Sequence, residues 1–211
     1  FFVTLASRLF TFSFLIRSSQ FILSGLTATL PVAGLLFSFT QTAGVITLLA
    51  IGKYLIHGLP LTLWIPTLLA TLSWSVSSTP TKRFNALFDC CINVLLPLTC
   101  LMLFVTHPQG GPAFVYSFYW LLPPAIWALR AAGNKNLFLI SLQSTFVAHA
   151  AGSIIWLYTI PMNATQWTML IPLVAIERLT IAGCSTLFAY GLHHLPRTID
   201  CTNLIGTPRS P

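Results

Sequence analysis

The chain has 211 residues, 55% of them hydrophobic and only 6% charged, with a mean hydropathy of +0.83. Soluble domains carry about 25% charged residues, so this balance excludes a soluble domain and identifies an integral membrane protein. The net charge of +7, from 10 Lys and Arg against 3 Asp and Glu, is scattered between apolar runs, which points to membrane topology and away from nucleic-acid binding.

Residues Phe1 to Gln20 are apolar but carry Arg8 and Arg17. The spacing predicts an interfacial or lead-in helix over residues 1–19, with both arginines cytoplasmic. Phe21 to Phe39 is the first clear crossing, with Pro31 at its middle and Ser24 and Ala28 forming a small-xxx-small step for close helix approach. Gln41 to His57 follows, its Lys53 and Tyr54 snorkelling to an interface. Leu61 to Trp74 is short for a full span and is read as tilted, re-entrant or a half-helix.

Ser75 to Arg83 is a polar linker ending in Lys82-Arg83, and Phe84 to Thr106 is a strong span. In that span Asn85, Asp89 and Asn93 recur every fourth residue. They form one polar stripe facing the bundle interior, where Asp89 and Asn93 are candidates to touch a solute. His107 to Pro112 is a tight turn. Ala113 to Arg130 crosses next, its helix broken at Pro123-Pro124. Tyr116, Tyr119 and Trp120 in it form either an aromatic belt, the favoured reading, or a stacking surface for a flat ligand.

The hairpin from Asn136 to Leu195 holds the functional centre. Two apolar runs flank the turn near Ala164, each long enough for the roughly 20 residues a bilayer demands. His149 lies fifteen residues before that turn and Glu177 thirteen after it, so both sit about 20 Å into the membrane at ~1.5 Å per residue. An ionisable group there costs at least ~2.5 to 3.5 kcal/mol and so faces the bundle interior. Glu177 and Arg178 are adjacent and about 100° apart on the helix, which predicts separate partners for each. The alternative is that they only tie the bundle together. Thr145, His149, Gly152 and Trp156 share one helix face. A pocket offering a cation, a carboxylate, an imidazole and an indole suits a small heterocyclic or carboxylated solute.

Basic residues cluster at Arg8 and Arg17, Lys82 and Arg83, Arg130 and Lys135, and Arg197 and Arg209, while the turns around Thr40, Gln109 and Asn163 carry none. By the positive-inside rule the fold is all-α, a polytopic bundle of about six proline-kinked transmembrane helices over residues 20–195, with both termini cytoplasmic and residues 196–211 a short tail. Seven crossings are the alternative. The five cysteines have no CxxC spacing and predict no metal site. No cofactor is expected.

There is no GxSxG, HExxH, P-loop or nucleotide-binding glycine pattern. The expectation is therefore a transport protein and not an enzyme. In size, hydropathy and architecture over residues 20–195, and loosely in TFVAHAAGSIIWLY, the chain resembles the substrate-binding S component of an energy-coupling-factor vitamin transporter. The resemblance implies a bacterial plasma membrane, an outward-opening vitamin site, and a transmembrane coupling protein with two ATPase subunits as partners. It also implies a docking contact at Ser24 and Ala28, here in place of the family's AxxxA step. The competing classes are a stand-alone proton-coupled transporter or small channel, an intramembrane enzyme using Cys184, and a structural subunit.

Overall fold

The computed structural model describes residues 12–16, 19–23, 31–32, 39–57, 64–78 and 83–194. Its helices are α1, Phe39–His57; α2, Ile65–Ser78; and α3, which runs from Arg83–Cys90 through a π-helical turn at Cys91–Leu95 into Leu96–Thr106. A 3-10 helix, Gly111–Leu121, continues directly into α4, Leu122–Ala131, and the hairpin of α5, Leu137–Thr159, and α6, Ala164–His194, completes the described chain.

The N-terminal expectations are corrected. Phe12–Ile16 (β1) and Ser19–Leu23 (β2) pair antiparallel, Phe12 opposite Leu23 and Ile16 opposite Ser19, where a lead-in helix and then a crossing were expected. Aromatic and branched residues fit a pleated strand better than a helix, and the Arg17-Ser18 step falls between the strands. Pro31 and Val32 form a buried turn, and the rest of the expected crossing from 24 to 38 lies outside the described residues. Proline has no N–H to donate to a helix ladder. Ser24 and Ala28 lie outside the described residues, as do residues 196–211.

Local chemistry explains the irregular middle of the bundle. Pro97 cannot donate and its ring crowds the carbonyl one turn back, and the turn before it widens, with Leu96 N–H bonding Cys91 O. After α3, Gly110 packs so closely on the backbone that a Cβ there would lie 2.2 Å from Phe104 O. The expected break at Pro123-Pro124 does not occur. Both prolines sit in the first turn of α4, where a missing N–H costs no helical bond, so the chain changes pitch without breaking. The polar linker also begins later than expected: α2 continues to Ser78, with Ser73, Ser75 and Ser77 buried.

The bundle buries polar residues beside its apolar core and presents large apolar side chains outside. Asn93, Ser117, Ser141, Gln143 and Ser144 are buried, while Leu48, Leu55, Met102, Met169 and Leu187 are exposed. That arrangement suits lipid as solvent, because lipid tails favour apolar side chains and Asn93, Ser117, Ser141 and Gln143 find internal hydrogen bonds. Three described stretches are long and apolar enough to cross a bilayer: Ala86–Thr106, Leu137–Thr159 and Ala164–Leu192. The chain is thus a helical membrane protein. Shorter apolar stretches occupy α1 at Ala43–Gly52 and α2 at Ile65–Ser77.

Within this frame α5 is central. It is 67% buried against 28% for the other two long stretches, and it packs on α2, α3, α4, α6 and the 3-10 helix. Asn136 caps its start by accepting from Phe138 N–H at 2.8 Å. At the other end of the hairpin, Asn163 and Gln166 exchange side-chain to backbone bonds of 2.9 Å each, a capping box that starts α6.

Candidate functional site

Two polar centres lie along α5, one toward each end. The first is a cavity of about 460 Å³ between α2, α5, α6 and the 3-10 helix. Alpha5 contributes Thr145, Ala148, His149, Gly152, Ser153 and Trp156, so the face expected from helical spacing lines it. Alpha6 contributes Trp167, Leu170, Val174, Glu177, Arg178 and Ile181, and α2 adds Pro66, Thr67 and Ala70. Gly152 lets α2 approach: a Cβ there would meet Pro66 Cγ at 3.5 Å.

His149, Glu177 and Arg178, from two different helices, therefore share one cavity. The expectation of separate partners for Glu177 and Arg178 is corrected, because Arg178 Nη2 lies 2.9 Å from Glu177 Oε1. Adjacent backbone positions diverge, but two long side chains can curl toward each other. With a low-dielectric exterior on one side, each is the other's nearest compensating charge. Arg178 Nη1 also reaches Thr145 O across the helix pair at 3.4 Å. Three nitrogens on lining residues are buried without a hydrogen-bond partner: His149 Nε2, Trp167 Nε1 and Arg178 Nε.

The expected aromatic belt is instead a buried cluster. Trp120 is fully buried and Tyr116 nearly so. Phe104 meets Trp120 and Trp167 edge-on at 5.2 and 5.1 Å. Tyr119 stacks on Phe146 at 5.5 Å and donates to Ile171 O at 2.8 Å, beside Pro172 in α6. Of the three rings only Tyr116 lines the cavity, its hydroxyl 3.1 Å from Ser153 Oγ and its ring 5.5 Å from His149 and 5.0 Å from Trp167. Tyr119 and Trp120 support the cavity wall from behind.

The second centre surrounds Arg130. Its guanidinium bonds Asp89 Oδ1 and Oδ2 at 3.2 and 3.3 Å, Gln143 Oε1 at 2.9 Å and Ser77 O at 3.1 Å. Trp127 Nε1 donates to Asp89 Oδ2 at 3.0 Å and Asn93 Nδ2 to Asp89 Oδ1 at 2.7 Å, while Ser73 donates to Asn93 Oδ1. Gln143 Nε2 donates to Pro123 O at 2.9 Å. Asp89 and Asn93, candidates for solute contact, are thus engaged by the protein itself and lie outside the cavity lining. This centre joins α2, α3, α4 and α5 at the end of the bundle where α3 begins at Arg83 and where Arg130 to Lys135 lie.

Sequence reasoning placed His149, Glu177, Arg178 and Trp156 together, named Tyr116 only with the aromatic belt or stacking surface, and missed Trp167 and Arg130. Trp167 was signalled by spacing, since 167, 170, 174, 177, 178 and 181 fall on one helical face with Glu177. Arg130 was signalled by charge, since Asp89 is one of only 3 acidic residues and needs a cation. Cys184 is exposed and outside the lining. Among the described residues no group of three His, Cys, Asp or Glu side chains lies close enough to hold a metal ion.

No known protein family, curated protein or solved structure matches the chain.

Proposed function

We propose that this membrane protein is a transport protein that binds a small solute in the cavity between α2, α5 and α6 for uptake. The observation that carries the reading is the pairing of a cavity of about 460 Å³ with His149, Glu177 and Arg178 in its wall, midway along two long apolar helices. Ligand sites run from about 300 to 1,000 Å³, and intramembrane ionisable residues face solute or ion pathways. The Arg130 centre supports the same reading. It closes the basic end of the bundle with a dense set of hydrogen bonds and leaves the cavity toward the other end. With the basic end cytoplasmic, the cavity runs from mid-helix toward the outward turn, the side from which an uptake protein would receive its solute.

The resemblance to a transporter S component assigns energy supply to a coupling protein and ATPase partners. A stand-alone proton-coupled carrier is the second reading, favoured by His149 sharing the cavity with Glu177. The test is a solute screen by thermal stabilisation of the purified protein, with Glu177→Gln and His149→Ala alongside. A solute at a hundredfold excess over its dissociation constant stabilises by about 2.7 kcal/mol, and the variants lose that increment. Uptake into proteoliposomes driven by a pH gradient, with no partner added, selects the second reading; tight binding without sustained uptake selects the first. If no solute stabilises the protein and both variants are merely less stable, the transport reading falls.

A further inference from the structure

Granted a solute site in this cavity, its wall constrains the solute's charge. Among the described residues, Glu177 and Arg178 are the only carboxylate and guanidinium that line the cavity, and they are paired at 2.9 Å. Their charges cancel, so an anionic solute would leave a net negative charge in a low-dielectric site with no second fixed cation among the described lining residues to offset it. A cationic solute meets the converse problem, because Glu177 is already committed to Arg178. Breaking the pair to free either partner leaves the other a buried lone charge.

The unpartnered nitrogens add the polar pattern. Trp167 Nε1 and Arg178 Nε are donors only, both are buried, and neither has an acceptor among the described residues. An unmet buried donor is costly, and both donors belong to residues that line the cavity, so the wall favours a solute that brings acceptors. Glu177 can only accept, and so asks for a donor. The remaining wall is aromatic and apolar, with the rings of Tyr116, Trp156 and Trp167 and the side chains of Pro66, Leu170 and Val174. Such surfaces suit a ring with π-faces.

We infer that the cavity takes an uncharged heteroaromatic solute bearing carbonyl-type acceptors and at least one N–H donor, and that the Glu177–Arg178 pair is a charge filter against ionic analogues of the same shape.

The test uses the full-length protein in detergent and four size-matched probe panels. They are uncharged lactam, imide and carboxamide heterocycles, aromatic carboxylates, aromatic amines, and aromatic zwitterions. The inference expects the stabilising probes to fall in the uncharged panel, with carboxylates and amines of the same ring at least tenfold weaker. Glu177→Gln, which leaves Arg178 unpaired, should move the preference at least tenfold toward carboxylates, and Arg178→Gln at least tenfold toward amines. Tightest binding by a carboxylate, amine or zwitterion in the parent protein overturns the inference while leaving solute binding intact. So does a Glu177→Gln protein that binds but keeps the parent's charge preference. Absence of binding in all four panels removes the solute site itself, and this inference with it.

Discussion

Arg130 and Asp89 join α4 to α3 through two hydrogen bonds of 3.2 and 3.3 Å, and the same guanidinium reaches Ser77 in α2 and Gln143 in α5. Four helices thus converge on one side chain, which is only 9% exposed. Removing one partner of such a buried pair leaves an uncompensated charge at a cost of about 3–5 kcal/mol. Arg130→Ala and Asp89→Ala should each lower the thermal unfolding midpoint sharply. An Arg130→Met, Asp89→Leu double replacement should recover much of the loss, because buried ion pairs exchanged for apolar side chains are often neutral. A double variant as unstable as the sum of the singles would show that the network contributes through Gln143 and Ser77 and not through the charge pair.

Cavity access can be tested at Gly152. A Cβ there meets Pro66 Cγ at 3.5 Å, an ordinary contact, so Gly152→Ala should fold and bind as the parent does. Gly152→Leu carries three more carbons into the space between α2 and α5, and should weaken probe binding at least tenfold. Equal binding by the leucine variant, measured by the same thermal shift, would place the solute elsewhere.

Two glycines with opposite surroundings separate packing from backbone entropy. A Cβ at Gly110 would sit 2.2 Å from Phe104 O, whereas nothing lies within 4 Å of one at Gly183. Gly110→Ala should destabilise by more than about 1 kcal/mol, since the turn must open. Gly183→Ala, inside α6, should stabilise by up to about 1 kcal/mol through helix propensity. Unfolding midpoints of the pair should therefore move in opposite directions.

The capping box at the α5–α6 turn predicts that Asn163→Ala costs about 1 kcal/mol. Gln166→Ala should cost less, since it frees a single backbone N–H at an exposed turn. Amide hydrogen exchange in the first turn of α6 should speed in both variants and leave α5 unchanged.

The hairpin was legible because its chemistry is costly. A charge inside an apolar run has to face inward, and counting residues from a turn fixes its depth, so His149, Glu177 and the Thr145–Trp156 face could be placed from the sequence. The Glu177–Arg178 pairing was not legible, because side-chain length outweighs the backbone angle that spacing reports. Asp89 and Asn93 were correctly set on an interior stripe, but their engagement by Arg130 and Ser73 depends on helix packing, which one helix's periodicity does not contain. Tyr116, Tyr119 and Trp120 were ambiguous for a different reason: the same residue types serve membrane interfaces and buried clusters, and only tertiary neighbours distinguish the two.

The cavity and the Arg130 centre share no residue, although α2 and α5 each serve both. On the proposed function, substitutions at Trp167, Leu170 or Val174 would retune what the cavity recognises while leaving the hydrogen bonds around Arg130 unchanged. The residues that would set solute preference then lie along one half of α6, whereas the bundle's cohesion rests on a separate set, Ser73, Ser77, Asp89, Asn93, Trp127, Arg130 and Gln143.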